Sequence, residues 1–259
     1  MKRKLFITTA ALLFALMLIP AANAYAGETA VAPAGDIEIP EYITIRRQQY
    51  STSLTELDLS GLRLTEAEIN SLRYMINLTE LYLDNTRIRN LTPLANLTNL
   101  KWLGLDDNQI SDLTPLANLT NLERLRLKNN QISDLTPLAN LTNLEWLQLL
   151  ENQISDLAPL ANLTNLELLE LRDNQISDLT PLANLANLEH LLLDTNQISD
   201  LTPLANLTNL GQLGLCSNRI RDITPLANLT GLRGLQLDNN NRIRNWSPVR
   251  HVREVGGRP

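Results

Sequence analysis

The sequence predicts an α/β solenoid: a curved right-handed coil with a parallel β-sheet on its concave face and 3₁₀ turns on its convex face. Three observations support this. A 22-residue unit, LTNLxxLxLxxNQISDLTPLAN, recurs along most of the chain. Only 4% of the 259 residues are aromatic, and leucine supplies most of the apolar content. Each unit is too short to enclose a core of its own, and such self-similarity is the signature of repeat architectures.

The first 26 residues have the pattern of a secretory signal peptide. Basic residues 2–4 precede an apolar run from Leu5 to Ile19, and small residues follow Pro20. Cleavage is expected after Ala24 or Ala26. The run is about 15 residues, shorter than the ~20 that span a bilayer, although an uncleaved anchor is the alternative. We therefore expect a secreted or cell-surface protein with no membrane span after cleavage.

Two short segments separate this peptide from the repeats. Residues 27–40 are small, polar and proline-containing, so they are expected to form a flexible linker. Residues 41–53 are expected to form an N-terminal cap, with Ile43–Ile45 and Gln48–Tyr50 as a small hairpin. A cap is needed because the terminal coil of a solenoid exposes an apolar edge.

Residues 54–254 are predicted to form nine repeats, and residues 255–259 a tail. Successive repeats begin 22 residues apart, except that the divergent first copy precedes the second by 24 residues. The repeats are aligned on the first leucine of LxxLxL: Leu54, Leu78, Leu100, Leu122, Leu144, Leu166, Leu188, Leu210 and Leu232.

The copy that begins at Leu122 shows how one unit makes one coil. Leu125 and Leu127 alternate with Arg126, which predicts a short strand with leucines inward and arginine outward. Thr136 and Pro137 predict the start of a 3₁₀ turn, with Thr136 as its cap. Stacked coils bury the shared apolar frame, and nine parallel strands at ~4.8 Å make a sheet roughly 40 Å long.

Asparagine recurs at the ninth position, where the chain turns after the strand. A buried asparagine side chain can satisfy backbone groups of its own coil and of the adjacent coil. Thr86 holds this position in the second repeat and Leu62 in the first. The predicted structural ladder comprises Asn108, Asn130, Asn152, Asn174, Asn196 and Asn218.

With these residues in place, the chain resembles the bacterial leucine-rich-repeat family of the internalin type, which has 22-residue units. The resemblance covers residues 54–254 and implies the solenoid fold and a bacterial origin. The repeated LxxLxLxxN motif is specific for the fold and not for a ligand. Internalins carry a helical N-terminal cap and often wall-attachment modules; neither is apparent here, so host-cell invasion is not carried over.

The predicted concave face varies from copy to copy, whereas the polar residues of the convex face barely change. This asymmetry indicates selection for binding; the alternative is that turn geometry constrains the convex residues. Exposed Trp, Tyr and Arg at the centre of a surface are typical of interface hot spots. Alternatively, Arg124 merely stacks between two solvated indoles, worth about 0.5–1 kcal/mol. The predicted partner-binding residues are Tyr82, Trp102, Arg124, Arg126, Trp146, Gln148, Leu168, Glu170, His190 and Leu192.

Charge narrows the class of partner. The formal net charge of −6 repels phosphate backbones, which excludes nucleic acid as the expected partner. Arg124, Arg126, Lys128 and Arg172 form a basic island on an otherwise acidic face. We therefore expect a monomer that binds a protein, with a glycan as the second candidate. A structural spacer or envelope scaffold without a specific ligand is the alternative function.

No enzymatic chemistry is indicated. The two histidines, His190 and His251, lie far apart, and no metalloprotease, nucleophile-elbow or phosphate-loop motif occurs. Cys216 is the single cysteine, and the neighbouring Asp194 and Asp238 are expected to raise its thiol pKa, which argues against a nucleophile. The prediction is a non-enzyme with no cofactor and no metal site.

Overall fold

The computed structural model describes residues 3–4, 38–240 and 243–258. Nearly all of the predicted signal peptide (1–26) and linker (27–40) lies outside the described residues, as do both cleavage sites. A two-residue strand, β1 (Arg3–Lys4), pairs antiparallel with β2 (Glu38–Ile39). Within the described part of the chain, no helix has the length and apolar character needed to cross a bilayer.

A β-hairpin packs against the first coil. Strands β3 (Tyr42–Ile45) and β4 (Gln48–Ser51) pair antiparallel, and Ile43 and Ile45 are buried in the common core. The two loop residues, Arg46 and Arg47, both have positive φ, the backbone that a tight hairpin requires. The backbone N–H of Arg46 donates to the Glu68 carboxylate at 2.7 Å, which ties the hairpin to the first coil.

Ten strands form one parallel sheet, with each coil contributing the strand next to that of the preceding coil. The tenth strand differs from the nine expected, because residues 254–256 pair with the preceding strand instead of forming a free tail. Val255 also packs against the core. The strands are β5 (Glu56–Asp58), β6 (Glu80–Tyr82), β7 (Trp102–Gly104), β8 (Arg124–Arg126), β9 (Trp146–Gln148), β10 (Leu168–Glu170), β11 (His190–Leu192), β12 (Gln212–Gly214), β13 (Gly234–Gln236) and β14 (Glu254–Gly256).

The repeated apolar positions stack into one continuous core. In the coil that begins at Leu122, the side chains of Leu125, Leu127, Ile132 and Leu138 have no exposed surface. Each such residue contributes roughly 1.5–3 kcal/mol before the entropy of ordering the chain offsets most of it. Because no coil encloses these side chains alone, the stability of each coil depends on its neighbours.

The return path of most coils is a 3₁₀ turn, as predicted, but its cap differs from the prediction. In the turn Thr136–Leu138, the N-cap position is held by Leu135, which makes no side-chain capping hydrogen bond, and Thr136 is the first residue of the turn. The Asp134 carboxylate instead accepts from the backbone N–H of Thr136 at 2.8 Å. The aspartate works better because it precedes the turn by two residues, the spacing at which an Asx side chain reaches its own backbone. The turns are Leu72–Tyr74, Thr92–Leu94, Thr114–Leu116, Thr136–Leu138, Ala158–Leu160, Thr180–Leu182, Thr202–Leu204, Thr224–Asn228 and Ser247–Val249.

The first coil contains an α-helix that the sequence analysis did not predict, α1 (Glu66–Ser71). Thr65 and Glu68 form a capping box: the Glu68 N–H donates to the Thr65 hydroxyl, and the Thr65 N–H donates to the Glu68 carboxylate. These bonds satisfy backbone donors that begin a helix, so they favour α-helix over a 3₁₀ turn. The longer 24-residue spacing of this copy leaves room for it.

The asparagine side chains at the ninth position bridge adjacent coils. The Asn130 carbonyl oxygen accepts from the Ile110 N–H at 3.0 Å, and its amide donates to the Leu105 and Leu127 carbonyls. The other five predicted members make the same pattern of bonds. Asn240, at the same position of the last repeat, extends the row. Thr86 keeps only the donor role, toward the Leu83 carbonyl at 2.8 Å.

A second row of asparagines lies where each coil approaches its strand. This row was not expected from the sequence. Each side-chain amide donates to a backbone carbonyl of the preceding coil at 2.8–2.9 Å. The row was visible in the sequence as an asparagine directly before the first leucine of seven of the nine units; Ser53 and Gly231 hold this position in the first and last units. Its members are Asn77, Asn99, Asn121, Asn143, Asn165, Asn187 and Asn209.

Candidate binding face

We call the outward surface of the ten-stranded sheet the strand face; it is the concave side in this fold class. Strand register decides which side chains are neighbours on it, because adjacent strands lie ~4.8 Å apart. Trp102 pairs with Arg124, Arg124 with Trp146, and Trp146 with Leu168. The row inferred from the sequence therefore exists in the structure, and it continues to His190.

The third to fifth strands of the strand face carry a stack of Trp102, Arg124 and Trp146, here called the Trp–Arg–Trp stack. The guanidinium carbon of Arg124 lies 5.1 Å from the Trp102 ring centroid and 4.3 Å from that of Trp146. Each cation–π contact is worth about 0.5–1 kcal/mol when exposed and ~2 kcal/mol when desolvated. Trp146 is 39% exposed, and Tyr42 on the hairpin is the other large apolar side chain so exposed in the described part of the chain.

Tyr82 supports the stack from one side. Its ring centroid lies 5.5 Å from that of Trp102 in a tilted arrangement, and its hydroxyl donates to the Glu80 carboxylate at 2.7 Å. Burial, together with this bond to Glu80, raises the pKa of Tyr82 to about 12. The hydroxyl thus stays protonated and holds the ring against Trp102. The indole Nε1 of Trp102 is buried without a hydrogen-bond partner among the described residues.

Three further predicted partner-binding residues, Arg126, Gln148 and Glu170, form side-chain hydrogen bonds within the protein. The Arg126 guanidinium bonds Asp106, at 2.9 Å from Nε, and lies 3.6 Å from Asp84. Burial raises the pKa of the Asp84 carboxyl. The Glu170 side chain is buried and bonds both Arg172 and the Gln148 amide, at 2.8 and 2.7 Å. The basic island inferred from the sequence is therefore smaller than expected, because Arg126 and Arg172 are neutralised by acids of the same face.

The remaining predicted residues extend the apolar part of the face. Leu168 and His190 continue the row that contains Trp146, and Leu192 continues the row that contains Gln148 and Glu170. Leu168, His190 and Leu192 are all half-buried. A shallow cleft of about 170 Å³ opens beside them, between the two indoles. We call it the central cleft; its lining residues are Trp102, Arg124, Leu125, Arg126, Trp146 and Gln148.

Cys216 is unsuited to nucleophilic chemistry. Its sulfur lies 3.6 Å from an Asp238 carboxylate oxygen, and its backbone N–H donates to Asp194 at 2.7 Å. Burial, followed by the charge of Asp194, raises the pKa of the thiol to about 12. In the part of the chain that the structure describes, no group of three or more histidine, cysteine and acidic side chains is placed to hold a metal ion.

Comparison with known proteins identifies the repeat. The family model for leucine-rich repeats (two copies) matches residues 98–140, 142–184 and 164–206. No match to a curated protein was found. The ectodomain of the Arabidopsis thaliana receptor kinase GASSHO1/SCHENGEN3, crystallised in complex with Casparian strip integrity factor 2, is 24% identical with a TM-score of 0.64. The match covers 72% of this chain and 24% of the receptor chain, and at this identity it shows the fold alone.

Two solved structures from Listeria monocytogenes are closer in sequence. Internalin C2 is 40% identical, with a TM-score of 0.67 over 74% of this chain and 81% of that chain. Internalin F is 33% identical, with a TM-score of 0.68 over 81% of this chain and 68% of that chain. The repeat and these relatives make the protein an interaction module, of a class that is generally non-enzymatic. The chain belongs to the internalin-like family of bacterial leucine-rich-repeat proteins.

Proposed function

We propose that the protein is exported and binds a partner protein through its strand face, with the Trp–Arg–Trp stack at the centre of the contact. The observation that carries this proposal is the stack itself: two indoles and an arginine on the third to fifth of the ten strands, with Trp146 well exposed. Tryptophan and arginine at the centre of a surface dominate binding energy in many interfaces. Exposed aromatic side chains also favour association, because each buries a large apolar area when a partner covers it.

The surroundings of the stack support the same role. The flanking ion pairs, Arg126 with Asp106 and Glu170 with Arg172, hold their side chains in place before any partner arrives. A pre-organised face loses less side-chain freedom on binding than a mobile one does. Export is supported by the basic, apolar and small-residue pattern of residues 1–26.

The test compares the full chain with the double variant Trp102→Ala/Trp146→Ala and with Tyr42→Ala as a matched control. Tyr42 is the other well-exposed aromatic side chain in the described residues, and it lies on the hairpin, away from the strand face. Each protein is used as bait for envelope and host-cell extracts, and captured proteins are quantified by mass spectrometry. Circular dichroism verifies that the bait is folded.

We expect a partner captured by the wild type and by Tyr42→Ala to be lost from the double variant, by about 30-fold or more. Equal capture of a partner by all three baits would remove the stack as the binding centre, and capture of no specific partner would support the spacer or scaffold function instead. Export is tested separately by sequencing the N-terminus of the protein recovered from the medium or cell surface. It should begin at Tyr25 or Gly27; recovery inside the cell with Met1 retained would contradict export.

A further inference from the structure

The cations of the strand face differ in whether a carboxylate of the protein neutralises them. Arg126 is paired with Asp106, and Arg172 is paired with Glu170. Arg124 and Lys128 have no side-chain hydrogen bond or ion pair with any described residue, although each lies beside a paired arginine. The centre of the face therefore holds two unneutralised positive charges.

The Trp–Arg–Trp stack fixes what Arg124 can still bind. The guanidinium carbon lies between the indoles of Trp102 and Trp146, 5.1 and 4.3 Å from their ring centroids. The guanidinium N–H groups donate to no described residue, so they remain available to an acceptor. An arginine edge matches a carboxylate, which can accept two parallel hydrogen bonds from it. Side chains that cannot accept hydrogen bonds gain little there.

The size of the central cleft limits what can reach this edge. Its volume of about 170 Å³ is comparable to that of a cavity of ~150 Å³, which accommodates one benzene ring. That is space for one protruding side chain. The indole walls also lower the local dielectric, which strengthens a charge pair formed between them.

The charges around the cleft favour a protein loop with one central acid. Acidic side chains lie on both flanks of the strand face: Glu56, Asp58 and Glu80 before the stack, and Asp194 and Asp238 after it. A polyanion would meet these flanks with like charge, whereas a single carboxylate reaches the centre without doing so. A surface with acidic flanks and a basic centre selects its partner partly by repelling proteins whose charges match its own.

We propose that the partner is a protein whose binding loop places an aspartate or glutamate side chain in the central cleft, where its carboxylate pairs with the Arg124 guanidinium. This inference rests on the proposed function, because it specifies the chemistry that the same strand face recognises. The indoles supply apolar contact to the stem of the inserted side chain, and Arg124 supplies the charge that distinguishes the acid from its amide.

The test uses a random-peptide library displayed on phage, selected on the full chain, followed by affinity measurements on the best synthetic peptide. We expect an acidic residue at one position of the selected peptides. Its replacement by the matching amide should weaken binding to the wild type about 10-fold or more, the effect of losing one charge-assisted pair. Arg124→Gln should bind the acidic and amide peptides equally, whereas Lys128→Gln, the matched control, should keep most of the difference.

Three results would overturn the inference. The first is a selected peptide that binds equally well with the amide. The second is an Arg124→Gln variant that still prefers the acid. The third is a failure to enrich any peptide, combined with unchanged indole NMR resonances of Trp102 and Trp146 in excess propionate, with Trp246 as the internal reference.

These failures are distinguishable from failure of the proposed function. Peptides that need both indoles but no carboxylate would leave the strand face as the binding surface and reject only the acid. Peptides that bind Trp102→Ala/Trp146→Ala as well as the wild type would reject the strand face itself.

Discussion

Replacement of Asn130 by alanine should destabilise the solenoid by an amount that its hydrogen bonds determine. The side chain accepts from the Ile110 N–H and donates to the carbonyls of Leu105, Leu127 and Lys128 at 3.0–3.1 Å. Only one of these groups lacks another partner. Leu105 also accepts from Asn108, Leu127 from Asn152, and Lys128 from the backbone of Asp107. The Ile110 N–H alone is left buried and unsatisfied.

The size of the effect follows from that count. One orphaned buried donor costs about 1–3 kcal/mol, and the lost donations add about 1 kcal/mol more. We therefore expect Asn130→Ala to lower the free energy of unfolding by about 3 kcal/mol. Asn130→Asp should lose more, because a carboxylate retains the acceptor for Ile110 but buries a negative charge against three carbonyl oxygens that repel it.

The assay is urea unfolding followed by circular dichroism, with Asn140→Ala as the matched control. Asn140 lies in the same coil but is exposed on the outer side, so its replacement should change stability by less than about 0.5 kcal/mol. If Asn130→Ala costs no more than Asn140→Ala, or if Asn130→Asp is the milder change, the bridging role of the asparagine row is wrong.

Three further predictions follow from the turns and from Cys216. Thr195 is a β-branched residue at φ 55°, in a position where Asn129 and Asn239 occur in other coils. Since asparagine tolerates this backbone better, Thr195→Asn should raise the free energy of unfolding by about 1 kcal/mol in urea; a loss of stability would contradict it. Hydrogen bonds to threonine hold the pKa of Asp112, Asp134, Asp178, Asp200 and Asp222 below the usual 3.8. The ionised carboxylates contribute fully to the free energy of unfolding above pH 3.8, and this contribution is lost as the pH falls below that value. Melting temperatures should therefore drop between pH 4 and pH 2; a constant melting temperature over this range would refute the prediction. Because the thiol pKa of Cys216 is raised to about 12, its reaction with iodoacetamide at pH 8 should be far slower than that of glutathione; an equal rate would show that the thiol is not perturbed.

The repeat frame was predictable because it is periodic. A 22-residue spacing places equivalent residues on neighbouring strands, so the row from Trp102 to Trp146 followed from counting alone. The same argument placed the asparagines of the ninth position on the inner turn. What periodicity predicts is the position of a side chain along the coil, and at those positions the structure agrees with the sequence.

Features that depend on local exceptions were missed. The helix α1 was signalled by Thr65 and Glu68, whose three-residue spacing forms a capping box, but the divergent first copy masked it. The tenth strand, β14, follows from the unpaired backbone of β13 and has no leucine motif of its own. Both arise where the repeat begins or ends, so the periodic pattern carries no information about them.

The pairing of charges on the strand face also could not be read from spacing. Arg126 reaches back to Asp106, whereas Arg172 bonds Glu170 within its own coil. Both arginines occupy outward positions, and only the side-chain conformations decide which acid each one meets. The count of free cations, on which the character of the partner depends, therefore required the structure.

The central claim is that the Trp–Arg–Trp stack is the energetic centre of a protein-binding face. Its most direct test is the dissociation constant of the captured partner, measured by surface plasmon resonance for the wild type, Trp102→Ala/Trp146→Ala and Tyr42→Ala. We predict that the double variant raises Kd about 30-fold or more while Tyr42→Ala leaves it within about twofold. An unchanged Kd for the folded double variant would contradict the claim.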